Sequence, residues 1–144
     1  MSDQTNRQQV FFRFENLRIY HKALEYALWV KENTSLLRSQ DCQFADNFCQ
    51  TSQRISTHIA EGSAREKPLF IQHLKESKSA IRVCLVFTTL AHRLEMITDE
   101  QESESRIQLM EMTKMLGALI TSLLKNPTPV QEQYDEDYLP TQSW

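Results

Sequence analysis

Residues that break helices are almost missing from this chain. It holds two glycines and four prolines in 144 residues, and three of the prolines lie beyond residue 126. Between residues 16 and 125 only Gly62, Pro68 and Gly117 interrupt it. Sheet proteins need turn residues every few positions, so this scarcity argues against them. With abundant Leu, Glu, Gln, Lys and Met, it predicts one all-α domain. Cysteine is sparse as well. Cys42, Cys49 and Cys84 show no metal-site spacing. Cys42 and Cys49 on one helix would stand about 10 Å apart, too far for a disulfide. Long apolar runs are also lacking, which predicts no membrane span. Met1 to Gln9 is polar and does not follow the basic-then-apolar order of a signal peptide. A cytoplasmic protein with reduced thiols is therefore the expectation.

A strong excess of positive charge is missing too. Net charge is −3 and the pI is about 5.8, against the value above about 9 that marks a dedicated nucleic-acid footprint. The sign is split along the chain. Residues 11–98 carry 12 Lys/Arg against 9 Asp/Glu, and residues 99–144 carry 3 against 9. A mildly basic body with an acidic last third hints at one charged partner face.

The apolar residues recur at helical spacing and divide the chain into an arm over 1–13, a helical bundle over 14–125 and an acidic, proline-containing tail over 126–144. Val10, Phe11, Phe12 and Phe14 in the approach either staple the first helix or dock on a neighbour. That helix is expected from Leu17 to about Leu37, capped by Asn16. It carries two adjacent stripes. One is Leu17, Tyr20, Leu24, Ala27 and Leu28; the other is Ile19, Ala23, Tyr26 and Val30. Their combined width suits either packing on two neighbouring helices or closing a subunit interface with Trp29 as an anchor. A second helix, capped by Asp41, runs from about Cys42 to Glu61. It carries Phe44, Phe48, Ile55 and Ile59, with Thr51 or Ser52 filling the gap.

The stretch Ile55–Phe70 is the joint of the chain. Gly62 is expected as a left-handed C-terminal cap, with Glu61 and Arg65 locking the turn. Ser63 and Glu66 have capping-box spacing. The third helix starts near Lys67, with Pro68 in its first turn, and reaches Ile97. Its stripes are Phe70, Leu74, Ile81, Leu85, Thr88 and Val83, Phe87, Leu90, Leu94, Ile97. Thr98-Asp99-Glu100 caps a fourth helix from Gln101 to Lys125. Its core is Ile107, Leu109, Met112, Leu116, Leu119, Ile120, Leu123 and Leu124, and Gly117 there predicts a close helix contact. Tyr134, Tyr138, Leu139 and Trp144 mark the tail. Four helices with short connections bury these stripes most simply as an antiparallel up-down-up-down bundle.

Chemistry is hard to find. The pairs His58/Glu61, His73/Glu76 and His92/Glu95 are three residues apart, and His21/Glu25 four. A di-iron bundle needs Glu-x-x-His twice, and none occurs. Phosphate loops, nucleophile elbows and His-Glu-x-x-His are absent from the sequence. No catalytic, cofactor or metal residue is assigned.

Several stretches nonetheless form a pattern in order and spacing. They are Phe14-Glu15-Asn16-Leu17, Tyr20 with Lys22-Ala23, Ile59-Ala60-Glu61-Gly62-Ser63-Ala64-Arg65, Phe70-Ile71-Gln72-His73-Leu74, and Met115-Leu116-Gly117-Ala118-Leu119-Ile120 with Ser122-Leu123. The pattern resembles the bacterial four-helix-bundle proteins encoded within intervening sequences of 23S ribosomal RNA genes, and also the accessory proteins of diversity-generating retroelements. The resemblance implies a homopentamer, often around a basic surface or channel. It implies no known catalytic activity, and association with nucleic acid or a nucleic-acid enzyme. The chain departs from the pattern at Cys49 and Gln50, where the family often has two arginines. Ser56 and His58 replace Pro and Asn, and Val83 and Leu85 replace acidic residues. Loss of the arginines removes local phosphate attraction, leaving Arg54, Arg65, Lys67, Lys75, Lys78 and Arg82. The leading expectation is a non-enzymatic oligomeric adaptor that meets RNA or DNA through Arg54, Arg65, Lys75, Lys78 and Arg82. The alternative is a protein-interaction scaffold gripping a basic partner with the acidic fourth helix and tail. A metal-dependent helical-bundle enzyme ranks third.

Overall fold

A computed structural model describes residues 11–125 of the chain. The first ten residues and the tail over 126–144, with its aromatic residues, lie outside the described residues. Among the described residues there are five α-helices and no strands. These are α1 (Arg18–Asn33), α2 (Ser35–Gln40), α3 (Cys42–Ser63), α4 (Lys67–Arg93) and α5 (Asp99–Lys125).

The extra helix arises because the expected first helix breaks at Thr34. The Asn33 side-chain amide donates to the Trp29 carbonyl at 2.8 Å, occupying a C-terminal acceptor. Thr34 is buried, with its hydroxyl 3.7 Å from the Cys49 sulfur. The chain restarts as α2, which buries Leu37. Asn16 does not cap α1. It ends a 3-10 turn over Arg13–Asn16, and Leu17 takes the cap position without a side-chain bond. The phenylalanines dock on the start of α1, where the Phe14 and Tyr20 rings meet edge-on at 4.9 Å.

Asp41 caps α3, accepting from the Phe44 amide at 3.0 Å. Ala45, Phe48, Ser52, Ile55 and Ile59 of α3 are buried. Ser52 fills the gap in that stripe and satisfies its hydroxyl on the Cys49 carbonyl at 2.7 Å. Gly62 corrects an expectation: no glycine has positive φ, and α3 continues through Gly62 to Ser63. Space, not torsion, is what the glycine supplies. A Cβ there would lie 2.5 Å from the His73 Cβ. The Ser63–Glu66 capping box is also absent. Ser63 donates to the Ala60 carbonyl, and Glu66 occupies the cap of α4 without a side-chain bond. Pro68 does lie in the first turn of α4.

α3 and α4 run antiparallel. His58 meets His73, Ser77 donates to the Ile55 carbonyl at 2.9 Å, and the Phe48 and Phe87 rings stack at 5.4 Å. α4 and α5 repeat the arrangement through Thr88/Ser105 and His92/Asp99. α5 also packs on α1, with Trp29 donating to Glu104 and Gln101 to Asn33. One continuous core results, with Tyr26, Phe48, Phe70, Leu74, Met112 and Leu116 almost fully buried.

α4 stops at Arg93, four residues short of the expected Ile97. The Met96 amide donates to the Ala91 carbonyl and the Glu95 amide to the His92 carbonyl, both at 2.9 Å. That pair of bonds closes a Schellman turn around Glu95, whose φ is 59°. Only glycine adopts this conformation without a Cβ penalty. Replacing Glu95 by glycine is expected to raise stability by about 0.5–1 kcal/mol, after the added freedom of the unfolded chain is subtracted. A urea midpoint that stays put or falls would reject that account.

Thr98 and Gln101 form a reciprocal cap on α5. The Gln101 amide donates to the Thr98 hydroxyl at 3.0 Å, and the Thr98 amide to the Gln101 side chain at 2.8 Å. Of the expected α5 core, Leu109, Met112, Leu116, Ile120 and Leu123 are buried, but Ile107 and Leu124 face outward. Gly117 makes no close helix contact, with nothing within 4 Å of an added Cβ. By length and hydropathy α5 alone among the described helices reaches what a membrane crossing needs. The buried stripe of α5 lies against α1 and α4.

Candidate nucleic-acid interface

Three of the expected cations share one stripe of α4. Lys75, Lys78 and Arg82 recur at helical spacing, and Lys75 and Arg82 are exposed. None of the three forms an ion pair with another described residue, and neither does Arg54. Their charge is therefore not neutralised within the described fold. Arg82 reaches a groove between α4 and α5, lined by Ile81, Leu85, Val86, Arg106, Leu109 and Met110. Arg106 is tied down by Glu102 at 3.1 Å and donates to the Thr89 hydroxyl at 3.0 Å.

The other two expected cations sit elsewhere. Arg54 is exposed on α3, where its charge acts on His58 and Cys84. Arg65 lies at the joint, 4.0 Å from Glu61, with both side chains about half exposed. Such a pair is worth at most about 1 kcal/mol. The expected lock between Glu61 and Arg65 is thus present but weak. Close packing of Gly62 beneath His73 and Phe70 defines the joint more strongly.

Beyond Arg82 the stripe of α4 changes character. Val86 and Leu90 continue it, with Val83 and Leu94 alongside, and all four are exposed, Val86 and Leu94 by 55 %. Of the expected second stripe of α4, only Ile97 is buried, while Phe87 is half-buried against Phe48. On α1 the stripe Ile19, Ala23, Tyr26, Val30 faces the core, and Leu24 and Leu28 do not. Sequence periodicity marks both stripes of each helix as apolar but does not say which one the chain covers itself.

The joint gathers groups that sequence spacing leaves apart. His58 Nδ1 and His73 Nδ1 are 3.1 Å apart, one ring donating and the other accepting. Partial burial holds the His58 imidazole below its usual pKa, with His73 and Arg54 adding to the effect and Glu76 and Glu61 opposing it. Burial also pushes the Cys84 thiol up to about 12. Tyr26 rises well above the usual phenol range, again through burial.

No curated protein matches the chain. The family model for the 23S rRNA-intervening sequence protein does match it, over residues 15–118. The matched span takes in all of α1 to α4 and most of α5, and with it both the cationic stripe and the joint. This chain belongs to the family of 23S rRNA-intervening sequence proteins.

Proposed function

We propose that the chain is a non-catalytic module whose four long helices form an up-down-up-down bundle. Copies of that bundle assemble into a closed oligomer, a pentamer as the family resemblance implies, and present cations to nucleic acid. The observation that carries this reading is the outward side of α4. Lys75, Lys78, Arg82, Val86 and Leu90 recur at three- and four-residue spacing, cationic in one half and apolar in the other. The apolar half favours burial against a second copy, because exposed contiguous apolar surface mostly marks an interaction site. Among the described residues Lys75, Lys78 and Arg82 form no ion pair, so phosphates can supply counter-charges with release of counterions.

Light scattering on the full chain and on the double variant Val86→Glu, Leu90→Glu tests the first half. An oligomer that dissociates in the variant supports the reading, and a monomeric wild type overturns it. Binding of single-stranded RNA across a salt series tests the second half. Affinity should fall steeply with salt, and Lys78→Glu with Arg82→Glu should weaken both the affinity and the slope. No binding at low salt removes the nucleic-acid role. Pull-down of a basic protein lost on neutralising Asp99, Glu100, Glu102 and Glu104 would favour the acidic-scaffold alternative.

A further inference from the structure

We propose that His58, His73 and Glu61 form a binding site for a divalent transition-metal ion, with Zn2+ the best match, clamping the end of α3 to the start of α4. This goes beyond the assembly and nucleic-acid reading and does not depend on it.

The argument starts from distance. A tetrahedral Zn2+ bound to two imidazoles at about 2.0–2.1 Å holds their nitrogens about 3.3 Å apart. The two Nδ1 atoms stand at 3.1 Å. Little movement separates a hydrogen-bonded pair from a metal-bridged one. A hydrogen bond alone would explain that distance, but not the third group. Glu61 lies one turn after His58 on α3 and offers a carboxylate oxygen, and all three ligand atoms lie within 4.8 Å of one another. The Glu61 side chain is about half exposed and, among the described residues, pairs weakly with Arg65 at 4.0 Å, which leaves it room to swing inward.

Two imidazoles and a carboxylate are a borderline-soft donor set suited to Zn2+. Water would complete the coordination. The scaffold is stiff where stiffness matters. Each histidine comes from the body of a different helix, and the missing Cβ of Gly62 lets the His73 backbone approach α3. Along the sequence the two histidines are 15 residues apart, so reading either helix alone pairs each with its own glutamate. The neighbouring charges balance, with Glu61 and Glu76 set against Arg54 and Arg65.

The test uses the full chain, stripped with a chelator and titrated with Zn2+ alone. One equivalent is expected to bind per chain and to raise the melting temperature. His58→Gln and His73→Gln should each lose more affinity than the roughly 10–100-fold that outer-shell changes cost. His92→Gln, on a different helix end, should bind like the wild type. Absence of Zn2+ binding by the stripped wild type overturns the proposal and leaves a histidine hydrogen bond only. Unchanged binding in both histidine variants overturns it as well. Should those variants fail to fold, Co2+ added to the stripped wild type decides: tetrahedral d–d absorption supports the site, and an octahedral aquo-like spectrum rejects it.

Discussion

Replacing Gly62 by alanine should destabilise the protein, because forcing a methyl into a filled space usually costs about 1–3 kcal/mol. The added Cβ would lie 2.5 Å from the His73 Cβ, 3.0 Å from its Cγ and 3.1 Å from the Phe70 Cδ1. A Cβ is fixed to the backbone, so rotating the His73 side chain cannot clear it, and α3 and α4 must separate. The gain from alanine's higher helix propensity, about 1 kcal/mol, offsets part of that cost and leaves a net loss of up to about 2 kcal/mol. The same substitution at Gly117 should do the opposite. Nothing lies within 4 Å of a Cβ there, so the propensity gain of about 1 kcal/mol stands alone. Chemical denaturation of the two variants checks both signs. Matching shifts in the same direction would mean that the packing at the joint is not what selects glycine.

Ser105→Ala is expected to cost about 1–3 kcal/mol by interrupting a buried relay of hydroxyls. Thr88 donates to the Cys84 carbonyl at 2.8 Å, an oxygen that can only accept. Thr88 therefore accepts from Ser105 at 2.7 Å, and Ser105 from Tyr26 at 2.7 Å. Each proton has one acceptor, and the chain of bonds ties α1 to α5 and α5 to α4. Alanine at 105 takes the 2.7 Å acceptor from the Tyr26 hydroxyl, on a side chain with no solvent exposure, and leaves it only the more weakly placed Thr88 hydroxyl. Tyr26→Phe removes a donor while Ser105 still serves Thr88, so it should cost less, about 1 kcal/mol. The double variant should cost less than the sum of the two. A Tyr26→Phe penalty larger than that of Ser105→Ala would contradict this direction of donation.

Much of the architecture can be read from the sequence because it is written in local chemistry. Asp41 before Cys42 is a cap whose oxygen reaches the Phe44 amide, and Pro68 suits a first turn whatever surrounds it. Phe48, Ile55 and Ile59 carry a helical period that burial preserves. The errors arise where a partner distant in sequence decides. Apolar periodicity runs on through Thr34 to Leu37, yet the Asn33 side chain donates to the Trp29 carbonyl and the helix stops. Gly62 has the sequence context of a cap, but its role depends on His73 from the next helix. The candidate cations are individually legible, and only Lys75, Lys78 and Arg82 share one stripe. The His58–His73 contact is invisible to any reading confined to one helix. Equal hydrophobicity on the two stripes of α4 gives no means of telling the self-covered side from the outward one.

The three thiols occupy three depths. Cys42 is exposed, Cys49 half-covered and Cys84 buried, with its pKa at about 12. Thiolate is the reactive form, so an alkylating reagent meets Cys42 in the native state and Cys84 only after α4 parts from the helices that bury it. Mass-resolved labelling of Cys84 thus acts as a clock for whole-domain opening, running inside the unmodified chain and needing no added probe.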